Sequence, residues 1–263
     1  MAVGQARIVA ADIDTRIVHH HGGTAAGELE QPDERLGVVC LGDLAIEVRA
    51  DARDRLPAAY RWLAKEATWT ELVDFLALEG GPDGGFDDLV AVCQVGLSGS
   101  AKLELGKNYW DEMGTGDADR VHTVLHQRMA AAIGMPEIAR ADQPVEAIER
   151  AALGGLLATN RWLQPEMLGA LGLLELQAGP RCRLVLQAFD RLGAPDDAYP
   201  FYVEHAEVDP VHGKDWLEKA VAPTVAERPE WAPRIVKGAW WRATVNLAFF
   251  EALRQELAGA RAA

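Results

Sequence analysis

The sequence is poor in positive charge. Its 26 lysines and arginines are outnumbered by 40 aspartates and glutamates, which gives a formal net charge of -14 at pH 7. Binding to the phosphates of a nucleic acid requires a basic surface, so we expect no nucleic-acid partner. A small acidic substrate is not excluded, because one or two arginines suffice to hold it.

Cysteines and long apolar runs are also scarce. Cys40, Cys93 and Cys182 are far apart and odd in number, which is typical neither of a disulfide framework nor of a CxxC zinc site. Charges interrupt every apolar stretch before the ~20 residues that a membrane helix needs. The first residues lack the pattern of a signal peptide. We therefore expect a cytoplasmic protein without a membrane partner.

Strand-favouring runs are few, whereas alanine and leucine are abundant, and this composition predicts an all-α protein. Residues 1–51 are irregular apart from a strand-like segment, Leu36 to Val48, and we interpret them as an N-terminal extension. Apolar residues return every three or four positions over residues 52–263, which indicates one helical domain. The pattern predicts a break at Gly179-Pro180 and helices over 86–113, 117–133, 144–162, 164–176, 181–192, the segment after Pro200, and 231–257.

The segment HAEVDPVH carries His205, Asp209 and His212 at positions i, i+4 and i+7. On a helix these side chains fall within roughly 60° of one another, so that they face a common volume. Two imidazoles and one carboxylate favour iron, zinc or manganese. A surface hydrogen bond is the alternative for any single pair. Pro210 lies inside the segment and is expected to bend the helix, which affects the position of His212.

A second cluster of acids and histidines lies upstream. Glu112, Asp119 and His122 stand close together in the sequence, and the DxxH pair within them is an arrangement by which helical diiron proteins place two ligands on one metal. Glu175 interrupts the apolar run LGALGLLELQAG, where an unpartnered carboxylate would be costly to bury. Glu79, in FLALEGG, has similar surroundings, but a solvated helix end is an equal alternative.

Together these residues form a carboxylate-rich candidate metal set, which contains Glu112, Asp119, His122, Glu175, His205, Asp209 and His212, with Glu79 as an eighth candidate. Seven ligands are too many for one ion. They suit two adjacent iron ions, because anionic oxygens offset the charge of the metals while imidazoles bind one metal each.

These motifs resemble those of the heme-oxygenase-like diiron oxidases and oxygenases, a family also described as iron-containing redox enzymes. The resemblance covers roughly residues 63–251 and is carried by the cluster at Glu112, the middle glutamate Glu175 and the terminal HxxxDxxH at His205. It implies a heme-oxygenase-like bundle of about seven core helices that binds two iron ions and uses dioxygen as co-substrate. Asp119 stands where a glutamate is commoner, and the N-terminal extension has no counterpart.

The resemblance also implies an iron-dependent oxidoreductase that oxidises a small molecule by N-oxygenation, C–C cleavage, decarboxylation or desaturation, in natural-product biosynthesis. Two other functions stay open, a helical metal-dependent hydrolase and a metal-free protein of the same fold that binds a small molecule. The sequence leaves the substrate, the reductant and a homodimer undecided.

Two further sets of residues are candidates for a substrate site. Arg181 and Arg183 have the chemistry to hold a substrate carboxylate, although a solvated helix face is the favoured interpretation. Trp240, Trp241, Arg242 and the pair Phe249-Phe250 have the chemistry to line a pocket, although core packing is favoured for the aromatic residues.

Overall fold

Helices carry almost all of the chain that the structure describes. A computed structural model describes residues 58–80 and 85–260, with side chains up to residue 257. The predicted extension, its strand-like segment and Cys40 lie outside the described residues. The helices are α1 (Ala58–Lys65), α2 (Trp69–Gly80), α3 (Phe86–Cys93), α4 (Gly99–Glu112), α5 (His122–Ile133), α6 (Val145–Thr159), α7 (Gln164–Leu192), α8 (Tyr199–Asp215), α9 (Ala222–Glu227) and α10 (Ala232–Ala260).

The expected all-α architecture is thus present, and residues 58–80 and 85–260 contain no strand. None of the described helices has an apolar stretch long enough to cross a membrane. Cys93 and Cys182 are buried free thiols.

Two of the predicted helix boundaries are wrong for identifiable reasons. The single helix expected over 86–113 is two helices, because Gly96 (φ 87°) and Gly99 (φ 61°) adopt left-handed backbone conformations between α3 and α4. The break expected at Gly179-Pro180 is absent, and α7 runs through both residues. A β-carbon on Gly179 would lie 2.7 Å from Pro210 Cγ in α8, so tight packing between the two helices supports α7 at this point.

Helices α7 and α10 approach each other closely at two glycines. A β-carbon on Gly169 would lie 1.8 Å from the carbonyl oxygen of Ile235, and one on Gly238 would lie 1.8 Å from that of Glu166. The two contacts are reciprocal, so each helix presents a glycine to the backbone of the other. Arg234 adds a bidentate ion pair to Glu166, with both N···O distances at 2.7 Å.

The buried apolar residues of the described part of the chain form two clusters. One cluster contains Phe75, Phe189 and Phe249, and the other contains Leu105 and Trp216. Both α7 and α10 contribute to both clusters. Along α7 the change from one cluster to the other occurs between Leu174 and Cys182. The polar residues in that interval therefore lie in a layer between the two apolar clusters.

Candidate metal centre

Six of the predicted ligands converge in two groups of three within this layer. The first group contains Glu112, His122 and His205, and the second group contains Glu175, Asp209 and His212. In each group, one potential ligand atom from every residue lies within 4.8 Å of the others. Five of the six residues are buried, and His205 is partly buried.

Helix α8 contributes to both groups. It provides His205 to the first group, and Asp209 and His212 to the second. The sequence predicted that all three would face one volume, whereas the structure divides them between two neighbouring volumes. Pro210 does not interrupt the helix, which continues to Asp215 and is followed by a π-helical turn, Trp216–Val221.

The first group is assembled by the end of α4, the start of α5 and the middle of α8. His122 Nδ1 lies 2.8 Å from Glu112 Oε2, yet this nitrogen is buried and has no aligned hydrogen-bond partner among the described residues. The His122 and His205 rings lie side by side, with centroids 4.5 Å apart. The ligand atoms of Glu112, His122 and His205 thus lie close enough together to bind one ion.

His205 is held in a form that suits a metal ligand. Its Nδ1 lies 2.6 Å from the carbonyl oxygen of Phe201, and a carbonyl accepts only from a protonated nitrogen, so Nδ1 donates and Nε2 keeps its lone pair. Burial and the neighbouring His122 lower the pKa of His205 to about 3. The imidazole is therefore neutral at physiological pH.

The second group is surrounded by residues that fix the orientation of its ligands. Asn108 donates through Nδ2 to Glu175 Oε1 at 3.1 Å, and the same nitrogen lies 3.3 Å from His212 Nδ1. On the opposite side of the ring, His212 Nε2 lies 2.9 Å from Asp111 Oδ2. Once His212 has lost one of its protons, donation from Nε2 to Asp111 leaves Nδ1 free to act as a ligand on the side of Glu175 and Asp209.

The buried carboxylates of the two groups indicate that a cation belongs there. Burial and the nearby Glu175 raise the pKa of Asp209 well above its usual value, and burial raises that of Glu112. Asp209 Oδ2 is buried without a hydrogen-bond partner among the described residues. Because unpartnered buried carboxylates are costly, this donor set of three carboxylates and three imidazoles fits metal ions.

Metal binding at the second group is expected to depend on pH through His212. Burial disfavours the charged imidazolium, but the carboxylates of Glu175 and Asp111 outweigh burial and raise the pKa of His212 to about 9. A metal must displace this proton, so the affinity is expected to rise about tenfold per pH unit from pH 7 and to level off above pH 9. Anaerobic titration with manganese(II) between pH 6.5 and 9.5, followed by the signal of the free ion in electron paramagnetic resonance, measures this. A flat profile would contradict it.

Replacing Asp111 is expected to weaken the second group without removing a ligand. In Asp111→Asn the hydrogen bond that orients His212 is lost or reversed, and the affinity for metal is expected to fall about 10- to 100-fold. Competition with a chelator measures the change. Asp119→Asn is the matched control, because it removes an equal charge from a nearby exposed position, and it should leave the affinity unaltered.

The segment between α4 and α5 brings Glu112 to His122. A β-carbon on Gly114 would lie 2.5 Å from the backbone carbon of Arg120, so the chain folds back tightly on itself, and Thr115 takes a left-handed conformation (φ 52°). Arg120 Nη2 then donates to both carboxylate oxygens of Glu204, at 2.8 and 3.0 Å. This pair ties the residues before His122 to the residue before His205.

Two predicted ligands lie outside both groups. The side chain of Asp119 is 78% exposed and forms an ion pair with Arg128, because the tight turn directs it to the surface. Glu79 accepts hydrogen bonds from Tyr60 and Arg181 at a distance from either group. Asp119 therefore lies outside the group that contains His122, although the DxxH spacing predicted a common site, because the helix begins only at His122.

A cavity of about 370 Å³ opens onto the two groups. Five of the six converging residues line it, together with side chains from the first apolar cluster and three arginines, Arg150, Arg181 and Arg242. Arg181 thus faces the cavity rather than bulk solvent. Of the aromatic residues considered from the sequence, Trp241, Phe249 and Phe250 are buried in the core, as favoured.

Sequence reasoning missed Asp111 and Asn108. Asp111 directly precedes Glu112, so on a helix it points about 100° away from its neighbour, and its contact with His212 joins residues about a hundred positions apart in the sequence. Asn108 lies one turn before Glu112, and this spacing was the only available indication that it belongs to the same helix face.

Comparison with known proteins gives the family and the fold. The model of the family described as "Iron-containing redox enzyme" matches residues 74–246. A crystal structure of a CADD-like protein of unknown function from Nostoc punctiforme is similar with a TM-score of 0.67 and 15% identity, covering 82% of this chain and 98% of that chain. A second crystal structure with the same description gives a TM-score of 0.62 and 16% identity, with 84% and 96% covered. No curated protein matches the chain.

Proposed function

The chain belongs to the iron-containing redox enzymes, as the match over residues 74–246 shows, and we propose that it is a diiron oxidase or oxygenase that uses dioxygen to oxidise a small molecule. The observation that carries this proposal is the presence of two buried groups of ligands next to one cavity. Its all-α bundle is of the heme-oxygenase-like type, which agrees with the fold of the Nostoc protein.

The donor set supports two iron ions. The first group provides one carboxylate and two imidazoles, and the second provides two carboxylates and one imidazole. Oxygen and nitrogen ligands without thiolate suit iron. Three protein ligands at each metal would leave coordination positions for exogenous molecules. When bound, iron supplies the one-electron steps that side chains lack.

The protein's own residues perform three tasks in this proposal. Phe201 and Asp111 accept hydrogen bonds from His205 and His212 and so hold each imidazole in a ligand tautomer. Three carboxylates offset the charge of the metals. The cavity positions the substrate next to both groups and limits the access of water.

The reaction type within this proposal is N-oxygenation, C–C cleavage, decarboxylation or desaturation, and its setting is natural-product biosynthesis in the cytoplasm, with an external reductant. Residues 1–51 are proposed to form an extension to the helical domain of residues 52–263. Glu79 and Asp119 are not included among the proposed ligands, because they lie outside the two groups.

Anaerobic reconstitution with iron(II), followed by mixing with dioxygen, tests the function. We expect two iron ions per chain, consumption of dioxygen and a transient visible charge-transfer band. The double variant His122→Ala/His212→Ala, which removes one ligand from each group, is the control and should show none of these. Only trace iron together with no dioxygen uptake would refute the proposal, and turnover of a substrate under strict anaerobiosis would support a metal-dependent hydrolase instead.

A further inference from the structure

Helix α8 contains a proline within the stretch that carries its candidate ligands. In a regular α-helix the N–H at position 210 would donate to the carbonyl oxygen of Ala206. Pro210 has no N–H, and the ring of a proline also crowds the carbonyl four residues before it. The carbonyl oxygen of Ala206 has therefore lost its regular donor, in the turn that joins His205 to Asp209.

A side chain of α7 replaces this donor. Arg183 Nη1 donates to the carbonyl oxygen of Ala206 at 2.9 Å. Ala206 is buried, and a buried carbonyl without a donor is costly. A hydrogen bond from a charged guanidinium is also stronger than one from a neutral donor. Arg183 thus supplies what Pro210 removes, and α8 continues as a helix to Asp215.

This contact belongs to a row of close contacts between α7 and α8. A β-carbon on Gly213 would lie 3.1 Å from Leu176 Cα, and one on Gly179 would lie 2.7 Å from Pro210 Cγ. Each step along α7 is matched by an equal step along α8 in the opposite direction, so the two helices pack antiparallel in one register. Residues 176, 179 and 183 of α7 lie opposite residues 213, 210 and 206 of α8.

Each contact residue on α8 directly follows a candidate ligand. Residues 206, 210 and 213 come immediately after His205, Asp209 and His212. Consecutive side chains on a helix point about 100° apart, so one face of α8 packs on α7 while the adjacent face presents the ligands. An opening of the helix at Ala206 would change the position of His205, in the first group, relative to Asp209, in the second.

Arg183 lies outside the cavity that opens onto the two groups. The described residues that line the cavity include Arg181 but not Arg183, and Arg183 is exposed to solvent. Its hydrogen bond goes to the backbone of α8. The position of Arg183 therefore fits a role in holding this helix and not a contact with a substrate.

We propose that Arg183 is a positioning residue for the candidate metal centre. Its guanidinium replaces the donor that is missing at Pro210 and so keeps His205 and Asp209 at the spacing of a regular helix. Arg183 itself touches neither metal nor substrate. This inference rests on the proposed function for the metal, whereas the support of α8 by Arg183 requires no metal.

Hydrogen exchange of the metal-free full chain tests the support of α8. Arg183→Met keeps the apolar stem of the side chain and removes its donors, so that the Ala206 carbonyl has neither the backbone donor nor the guanidinium. The amides of α8 are then expected to exchange about tenfold faster. Arg128→Met, at an exposed arginine that pairs with Asp119, is the matched control and should not alter this exchange. Unchanged exchange in Arg183→Met would overturn the proposal.

Anaerobic titration with manganese(II), followed by electron paramagnetic resonance of the free ion, tests the consequence for the ligands. Arg183→Met is expected to bind the ion about tenfold more weakly at both groups. Arg183→Lys keeps one cationic donor, so an intermediate loss is expected. Arg128→Met should bind as the unsubstituted protein does. Circular dichroism melts establish that each variant is folded at the temperature of the titration. Unaltered affinity in folded Arg183→Met would refute the positioning role.

Pro210→Ala provides a rescue that depends on the proposed hydrogen bond. Alanine restores the N–H at position 210, which donates to the Ala206 carbonyl in a regular helix. In this background Arg183→Met should weaken manganese binding less than about threefold, against about tenfold when Pro210 is present. Comparison within each background cancels the effect of the lost contact between Pro210 and Gly179. An equal loss in both backgrounds would show that Arg183 acts through another contact, and the proposal would be wrong.

The two measurements separate this inference from the proposed function. If the unsubstituted protein takes up neither iron nor manganese, the proposed function is refuted, while faster exchange in Arg183→Met and its rescue by Pro210→Ala would still support the role of Arg183 in holding α8. Normal metal binding in every variant refutes this inference alone.

Discussion

His205→Ala is expected to lower the iron content from two ions per chain to about one and to reduce dioxygen consumption by more than about 100-fold. The first group would retain only Glu112 and His122, and two ligands do not hold iron(II) against exchange with water. The second group contains none of the altered atoms and should still bind its ion. Metal analysis after anaerobic reconstitution and an oxygen electrode measure the two effects.

His126→Ala is the matched control for this substitution. His126 also lines the cavity and packs against Phe201, with ring centroids 5.1 Å apart, but it belongs to neither group. Its removal should leave the iron content at the level of the unsubstituted protein. If His205→Ala also retained two ions, the assignment of the first group would be wrong.

Gly169→Ala is expected to destabilise the fold by about 3 kcal/mol or more, because it forces a β-carbon to within 1.8 Å of the Ile235 carbonyl oxygen. The obstructing atom belongs to the backbone of α10, so no side-chain rotation relieves the overlap, and the two helices must separate. The reciprocal contact at Gly238 would be disturbed as well. In a thermal melt we expect a decrease of about 6–12 °C or a failure to fold.

Gly155→Ala is the same chemical change, but it is expected to stabilise the fold. Gly155 lies within α6 and its β-carbon would have no atom within 4 Å, so alanine removes chain entropy from the unfolded state without a clash. A gain of about 0.5–1 kcal/mol is expected. Equal melting temperatures for the two variants would show that the approach of α7 to α10 does not limit stability.

Local sequence patterns predicted the type of the elements better than their ends. The periodicity of apolar residues correctly indicates helices over most of residues 58–260. It does not indicate that α7 passes through Pro180, because the support comes from Pro210 in α8, about thirty residues away. The sequence pattern also predicted that α5 begins at residue 117, whereas it begins at His122. The left-handed conformations at Gly114 and Gly116 depend on how the connection between α4 and α5 packs on itself.

The candidate ligands were predictable where spacing and surroundings agreed. His205, Asp209 and His212 share a helix, and Glu175 lies in an apolar run, so neighbouring residues alone indicated that each could be a ligand, and all four lie in the two groups. Asp119 and Glu79 also have suitable chemistry, but neither lies in the two groups. The turn before α5 directs Asp119 to the surface, and Glu79 forms an ion pair with Arg181. A residue that orients a ligand on another helix, as Asp111 orients His212, cannot be predicted without knowing which helices pack together.

The sharing of α8 between both groups has a mechanical consequence. Because His205 and Asp209 are separated by one turn of a single helix, the spacing along α8 between the two groups is set by backbone hydrogen bonds, at about 6 Å, rather than by the packing of separate helices. A displacement of α8 therefore moves the ligands that it contributes to the two groups by the same amount. The distance along the helix between His205 and Asp209 therefore stays constant when the helices around α8 move.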